Sequence, residues 1–220
     1  MKTKLFRLLA LMSVATLRAE ISTFDISTVG TCPAAMSQAV THGSKPARWE
    51  VVADPEAHSP PHVLAQLSDE PSPERSALVV YRLVEQEDGA ISVRFKPLSG
   101  KVNPAVGVIW RYRDKENYYC AQVRVSDNTL TVAKVQDGRW IPLQPVGAES
   151  LDTTVKLDTK IPFNVWSRMS VRFEGSRMSI KVNKLPGCDI EDSTFTTGLV
   201  GMCTQADTIA YFDNFEINLL

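Results

Sequence analysis

The sequence predicts an all-β protein, a two-sheet antiparallel β-sandwich of about ten to twelve strands. Three observations predict it. From residue 76 onward, apolar residues recur at every second position in short segments, which is the period of a half-buried strand. Turn signals such as Asp137-Gly138 and Gly175-Ser176 separate these segments. No segment repeats its apolar residues at the spacing of an amphipathic helix.

The predicted strands follow one another with short links. They cover residues 77–83, 89–100, 105–114, 117–125, 129–135, 140–143, 166–173, 177–182, 198–203 and 208–217. Residues 20–75 are instead rich in Pro, Ser, Ala and Asp, with strand-like material near Phe24 and at 62–67. We interpret this stretch as an edge strand with long loops rather than a separate domain, so that residues 20–220 form a single domain.

The N-terminal residues 1–19 have the pattern of a secretory signal peptide. A basic start precedes an apolar run, residues 8–17, that is too short to span a bilayer. We expect cleavage after Ala19, although Leu17 stands where a small residue is usual, and a cut after Ala15 is an alternative. The protein is therefore expected to be exported, to the periplasm or the extracellular space. No later segment is apolar enough to cross a membrane.

The charge argues against two classes of partner. Of the 24 Lys and Arg residues, four lie in the expected signal peptide, which leaves 20 against 25 Asp and Glu, a net charge of −5. A mildly acidic chain without basic runs is poorly suited to nucleic acid or an anionic membrane. A neutral partner such as a carbohydrate is compatible with this charge. The sequence leaves the oligomeric state open.

Four cysteines remain in the expected mature chain: Cys32, Cys120, Cys188 and Cys203. An even number permits disulfides in an oxidising compartment, and none has the C-x-x-C spacing typical of a zinc site. Cys188 and Cys203, which are close in sequence, are the expected pair. Cys120 lies within a strand and is expected to be a buried free thiol.

Alternation along residues 106–125 predicts which side chains face the core. The apolar sets are Val106, Val108, Trp110 and Tyr112 on one strand and Tyr119, Ala121, Val123 and Val125 on the next. If the two strands pair, Arg111, Tyr118, Gln122 and Arg124 share the outer face. An aromatic ring beside guanidinium and amide donors suits a sugar, because the ring covers C–H groups and the donors fix hydroxyls. We predict a ligand-binding surface at these four residues; the alternative is an ordinary solvated sheet face.

Six short motifs occur in a fixed order: FDISTVG (24–30), VLAQ (63–66), ISVRFKPLSGKV (91–102), WRYRDKENYY (110–119), DSTF (192–195) and YFDNF (211–215). Together they resemble a group of secreted bacterial proteins with a concanavalin A-like, laminin G-like jelly roll. The resemblance implies two stacked antiparallel sheets, one of them curved so that its outer face forms a shallow groove. That superfamily includes lectins, family sixteen glucanases and 3-keto-disaccharide hydrolases, so the fold alone does not choose a function.

The sequence contains no recognisable catalytic pair. Glycoside hydrolysis usually uses two carboxyl groups, which family sixteen glucanases carry on an E-x-D-x-E strand, and this pattern is missing here. The nearest approximations, residues 85–88 and 189–192, are interpreted as solvated loop acids. His42, His58 and His62 lie in the N-terminal quarter, and two prolines between the last two prevent the helical spacing of zinc ligands.

Asp213 shares its parity with Tyr211, Phe215 and Ile217 in the last predicted strand. If those three face the core, the carboxylate needs a partner, because an unpaired buried charge costs several kcal/mol. The jelly-roll resemblance implies a structural calcium held by Asp213 and the stretch around Asp25, since calcium takes carboxylate and carbonyl oxygens. The alternative is a set of backbone N–H donors and no metal.

These observations predict a secreted, carbohydrate-associated module without catalytic residues that binds a glycan on the outer face of one sheet. Two alternatives stay open. One is a glycoside-processing enzyme related to the 3-keto-disaccharide hydrolases, whose acids the sequence does not identify. The other is a structural or protein-interaction domain of the cell envelope.

Overall fold

The fold is seen in a computed structural model that describes residues 20–148 and 153–220. The predicted signal peptide, residues 1–19, lies outside the described residues. The described part of the chain forms sixteen strands in two antiparallel sheets. It contains no helix, and so none that is long and apolar enough to cross a membrane. The predicted all-β two-sheet sandwich is confirmed.

The first sheet contains, from one edge to the other, β14 (Leu185–Glu191), β13 (Arg177–Val182), β12 (Ser167–Glu174), β6 (Gly89–Ser99), β16 (Ile209–Leu219), β4 (His62–Gln66) and β3 (Trp49–Ala53), and β1 (Glu20–Ser22) pairs with β16. The second sheet contains β10 (Arg139–Pro142), β9 (Thr129–Gln136), β8 (Asn117–Arg124), β7 (Ala105–Asp114), β15 (Gly198–Gln205), β5 (Ser76–Gln86) and β2 (Met36–Thr41), and β11 (Thr154–Lys156) pairs with β9. In each sheet a C-terminal strand lies beside strands from the first half of the chain, so the two halves fold as one body.

The core lies between the two sheets. From the second sheet it receives Val106, Val108 and Trp110 of β7 and Tyr119, Ala121 and Val123 of β8, all buried as predicted. The rings of Trp110 and Tyr119 stack with their centroids 5.6 Å apart. The first sheet contributes alternate residues of β6 and β12 in the same way. Burial of this apolar surface is the main favourable contribution to folding.

The N-terminal region contains more strands than its composition predicted. The strand expected at 62–67 is present as β4, but β4 is an interior strand, because β3 covers the side that does not pair with β16. Trp49 and Val51 of β3 are buried in the core. The strand predicted near Phe24 is present as β1, which ends two residues before it. Phe24 itself is buried with a φ of 65° and lies outside the strand.

A β-bulge in β7 reverses its alternation. The pairing with β8 shifts between Trp110 and Asp114, and Arg111 has a φ of 48°. As a result Tyr112, which was predicted to face the core, packs half-buried on the outer face of the second sheet. Residues 111–113 of β7 lie opposite Tyr118 alone, so the bulge contains residues without a partner and the side chains within it change face.

A second bulge lies in β16, where the pairing with β6 shifts between Asp213 and Glu216. Phe215 and Ile217 are in the core, whereas Asp213 pairs with Arg94 on the outer face of the first sheet. The expectation that Asp213 faces the core together with Phe215 is therefore wrong. Its carboxylate is nevertheless fully buried.

The four cysteines are free thiols. Cys188 lies on β14 of the first sheet and Cys203 on β15 of the second, so the predicted pairing of these two is wrong. Cys120 is a buried free thiol within β8, as expected.

Candidate functional site

A groove of about 490 Å³ lies on the outer face of the second sheet. Its volume is within the usual range for sites that hold small ligands. Strands β2, β5, β7, β8, β9, β10 and β15 supply most of its lining, which includes Thr41, Gln122, Arg124, Thr131, Trp140 and Gln205. The same face carries a buried apolar cluster that includes Leu78, Ile109, Cys120 and Cys203. The outer face of this sheet is thus a structured cavity rather than a flat solvated surface.

Three of the four predicted ligand-binding residues line the groove: Tyr118, Gln122 and Arg124. They occupy alternate positions of β8, which places them on one face. The ring of Tyr118 is buried in the outer apolar cluster, and its hydroxyl shares a hydrogen bond of 3.0 Å with Thr41 Oγ1. Tyr118 therefore forms the base of the groove and is not the exposed aromatic plate that was predicted.

Gln122 reaches across the sheet because Gly107 lies beside it. A Cβ at Gly107 would stand 2.0 Å from the Ala121 carbonyl oxygen and 2.9 Å from Gln122 Cγ. In that space the Gln122 amide lies 3.6 Å from Cys203 Sγ, so the amide is held by a weak acceptor that a ligand hydroxyl can replace.

Arg124 lies at one end of the groove with 41% of its side chain exposed. Its Nη1 forms an ion pair of 3.0 Å with Asp127, which fixes the guanidinium and leaves its other N–H donors available. Exposed pairs of this kind stabilise the fold little. The ion pair with Asp127 therefore holds the Arg124 guanidinium in place while leaving it exposed to the groove.

Two residues of β10 that line the groove were not predicted from the sequence. Trp140 is 37% exposed and pairs with Val135, another lining residue, so both side chains lie on the groove face. Arg139 is exposed beside it and forms no ion pair within residues 20–148 and 153–220. The segment WIPL was predicted as a strand, but only its pairing with β9 across the Asp137-Gly138 turn brings Trp140 to this face. Trp140 supplies the exposed ring that Tyr118 does not.

His42 also lines the groove. Its Nε2 is hydrogen-bonded to the Gly138 carbonyl oxygen, which ties the end of β2 to the turn between β9 and β10. Thr41, beside it, donates to the Lys115 carbonyl oxygen at 2.6 Å. These contacts fix one wall of the groove across strands that do not pair with each other.

Arg111 does not belong to this surface, which corrects the sequence prediction. The bulge turns its side chain away, and it is only 1% exposed. Its guanidinium donates to the carbonyl oxygens of Glu87 (2.9 and 3.1 Å), Phe195 (2.9 Å) and Gly175 (2.7 Å). Burial lowers the pKa of Arg111, and the nearby acidic side chain of Asp88 opposes the shift. Arg111 therefore joins three loops and has a structural role.

The two predicted calcium ligands, Asp25 and Asp213, lie close together under the 54–61 loop. Asp213 accepts backbone N–H bonds from Ser59 (2.6 Å) and Asn214 (2.7 Å), and Asp25 accepts one from His62 at 3.3 Å. Burial raises the pKa of Asp213 to about 6 despite these bonds, and the charge of Asp25 adds to the rise. The buried carboxylate of Asp213 is thus repelled by the charge of Asp25, which is half-buried.

The carboxylate oxygens of Asp25 and Asp213 are the type of ligand that a hard cation prefers. Calcium takes carboxylate and backbone carbonyl oxygens together with water, and a cation between Asp25 and Asp213 would remove their repulsion. Within the described residues no group of three or more His, Cys, Asp or Glu side chains is placed to hold a metal. The remaining ligands would therefore have to be carbonyl oxygens or water.

The loop acids considered for catalysis have structural partners. Asp192 accepts hydrogen bonds from Tyr119 Oη and, at 2.7 Å, from Lys134 Nζ. Burial alone would raise its pKa, but the bonds from Lys134, Thr194 and Tyr119 lower it to about 2. Asp88 accepts from the Gly175 backbone N–H at 2.8 Å.

Replacing Asp192 by asparagine is expected to lower the free energy of unfolding by about 2 kcal/mol at pH 7. Since the pKa of Asp192 is depressed in the folded state, its contribution is present above pH 4 and is lost as the pH falls toward 2. Urea unfolding at several pH values measures the difference, and a difference that persists at pH 2 would contradict this assignment.

Comparison with known proteins shows the fold. No protein-family model and no curated protein matches this chain. Among solved structures, the carbohydrate-binding module CBM66 from Bacillus subtilis is 18% identical, with a TM-score of 0.60 over 81% of this chain and 92% of that one. A Bacillus subtilis protein of unknown function with a galectin-like fold is 14% identical, with a TM-score of 0.55 over 82% and 88%. The exoplasmic/lumenal domain of VIP36 in its Ca²⁺/Man-bound form is 13% identical, with a TM-score of 0.55 over 92% and 89%.

Proposed function

We propose that this protein is an exported carbohydrate-binding module whose ligand lies in the groove of the second sheet. One observation carries the proposal: the exposed ring of Trp140 lies in the same cavity as the amide of Gln122 and the guanidinium of Arg124. An aromatic ring covers the C–H face of a sugar, and planar N–H donors bind its hydroxyl groups. The groove is fixed by the contacts of Thr41 and His42, so the ligand meets a preformed surface.

The lining favours binding over hydrolysis. Glu74 is the one carboxylate among the lining side chains in the described part of the chain, whereas cleavage of a glycosidic bond usually uses two. Asp192 and Asp88 are held by partners outside the groove. A hydroxyl-rich neutral ligand also matches a lining in which Arg124 is already paired with Asp127.

The similar structures support this class of ligand. One is described as a carbohydrate-binding module and another as bound to mannose. The N-terminal pattern of a signal peptide is consistent with a protein that meets polysaccharides outside the cytoplasm.

Replacing Trp140 by alanine is expected to weaken glycan binding by roughly 10- to 100-fold, because the ring supplies the largest apolar contact. The purified protein would be incubated with a panel of soluble and insoluble polysaccharides, with depletion of protein and release of products scored together. The affinity for the best ligand would then be measured by calorimetry. Gln122→Ala is expected to cost less, about 3- to 10-fold, since it removes a single hydrogen-bonding group.

Trp166→Ala is the matched control. Trp166 packs beside Lys96 on the outer face of the first sheet, away from the groove, so its loss should leave the affinity unchanged. Equal loss in the two tryptophan variants, or no binding to any polysaccharide, would overturn the proposal. Release of products would indicate a glycoside-processing enzyme instead, related to the 3-keto-disaccharide hydrolases that the sequence resembles.

We further infer that Asp25 and Asp213 bind a structural calcium ion. The inference rests on the buried carboxylate of Asp213 beside the charge of the half-buried Asp25 and is supported by the Ca²⁺-bound state of the VIP36 domain. The ion would join the segment before β2 to the last strand and so stabilise the fold without contacting the glycan.

A further inference from the structure

A second cavity lies on the opposite side of the sandwich, on the outer face of the first sheet. Its volume is about 540 Å³, and its lining consists of Arg94, Thr159, Arg168, Asn183, Lys184 and Leu185. We call it the basic pocket. Three of its six lining residues are cations and none is an acid, although the protein as a whole is mildly acidic.

The two arginines are direct neighbours. Arg94 of β6 lies opposite Arg168 of β12 in the antiparallel ladder, so both side chains lie on the same face. Like charges in this position destabilise a sheet unless a negative group lies between or beside them. Lys184, in the turn before β14, adds a third positive charge at the same cavity.

Of these three cations in the described part of the chain, Arg168 alone forms an ion pair with an acidic side chain. Arg168 Nη2 donates to Glu216 at 2.8 Å and to Ser92 Oγ at 2.7 Å. Arg94 and Lys184 form no ion pair within the described ranges 20–148 and 153–220. Asp213 lies opposite Arg94 on the other side, but its carboxylate oxygens accept the backbone N–H groups of Ser59 and Asn214.

Neutral donors complete the lining. The Asn183 Oδ1 accepts the backbone N–H of Arg168 at 2.9 Å, which turns the amide –NH₂ away from that bond. Thr159 contributes a hydroxyl group. The field of the arginines extends beyond the pocket: burial lowers the pKa of His58, and the charges of Arg94 and Arg168 lower it further.

We propose that the basic pocket binds a tetrahedral oxyanion of the sulfate or phosphate class. Two guanidinium groups, an ammonium, an amide and a hydroxyl converge on one cavity, and arginine presents paired N–H donors that match two oxygens of such an anion. An anion bound beside Arg94 would offset its cross-strand repulsion with Arg168. The site is separated from the groove by the whole thickness of the sandwich, so its occupancy is independent of the proposed glycan.

The test uses inorganic sulfate and inorganic phosphate as probes, each titrated at constant ionic strength against chloride, with binding followed by calorimetry and by the melting temperature. Arg94→Gln is expected to weaken binding roughly tenfold or more. In the absence of either anion the same variant is expected to melt at a higher temperature than the parent, because it removes the like-charge pair. A variant that merely folds poorly would melt lower.

Lys101→Gln is the matched control, since Lys101 is exposed in a loop outside the pocket; its anion binding should be unchanged. No saturable response to either anion would overturn the proposal, as would equal losses in the Arg94 and Lys101 variants. A sulfated oligosaccharide and a sugar phosphate, each compared with its neutral parent, then distinguish the two sources of the anion.

Discussion

Replacing Arg111 by methionine is expected to lower the free energy of unfolding by about 3–5 kcal/mol. The substitution keeps much of the side-chain volume but removes four hydrogen bonds to the carbonyl oxygens of Glu87, Gly175 and Phe195. The bond to the Phe195 carbonyl is fully buried, and a buried carbonyl left without its donor costs about 1–3 kcal/mol. The part-buried bonds to Glu87 and Gly175 add the loss of charge-assisted donors. Arg111→Lys is expected to lose a similar amount of stability, because a single ammonium lacks the planar set of N–H donors that reaches three loops at once. Urea unfolding followed by tryptophan fluorescence measures the loss.

Arg172→Met serves as the control. Arg172 lies on β12 with 56% of its side chain exposed and pairs only with the exposed Glu174, so a change within about 0.5 kcal/mol is expected. Hydrogen exchange should locate the damage of the Arg111 variant in the turns at 87–88 and 175–176 and in residues 192–197. A loss below about 1 kcal/mol would contradict the structural role. Retained glycan affinity at low temperature would confirm that Arg111 is not a groove residue.

The stability of the calcium-free protein is expected to fall by about 3 kcal/mol between about pH 4 and pH 6 through Asp213 alone. The pKa of this buried carboxyl is raised to about 6 from an ordinary value of 3.8. The folded state therefore keeps a proton that the unfolded state has already lost, and the stabilisation present at low pH disappears as the pH rises through the folded pKa. Urea unfolding in a chelator, for the parent and for Asp213→Asn, isolates the effect as the difference between two pH profiles.

Asp25→Asn provides an independent check. Removing the charge of Asp25 should lower the pKa of Asp213 and so reduce the change of stability with pH. Parallel profiles for the parent and Asp213→Asn would show that the Asp213 pKa is not raised. Excess calcium at pH 7 is expected to restore the lost stability in the parent but not in Asp213→Asn. If calcium has no effect while the pH profile is as expected, the carboxylate pair exists without the ion.

The strands after residue 76 were predictable because their alternation is regular and turn residues mark their ends. The strands β2 and β3 were missed because they lie in a stretch rich in Pro, Ser and Ala, where composition favours loops. β14 was missed because its sequence, LPGCDIE, contains Pro and Gly, and an irregularity in its pairing with β13 accommodates them.

The side chains that were assigned to the wrong face have one physical source of error. Alternation assigns side chains to the correct face only where a strand contains no bulge. It therefore placed Tyr118, Gln122 and Arg124 of the regular strand β8 on the same face. It failed for Arg111 and Asp213, because each lies beside a bulge. Trp140 was missed for another reason: its face depends on the strand with which β10 pairs, which is a long-range property that a local pattern does not contain.

The regularity of β8 has a consequence for how this protein can diversify. Tyr119, Ala121 and Val123 fill the interior, whereas Gln122 and Arg124, interleaved with them, line the groove. Selection for a new ligand can therefore act on one set of codons while selection for a folded chain acts on the other. A library randomised at Gln122, Arg124 and Trp140 should retain most of its members as folded proteins, which makes the sandwich suitable for selecting new binding specificities in this groove.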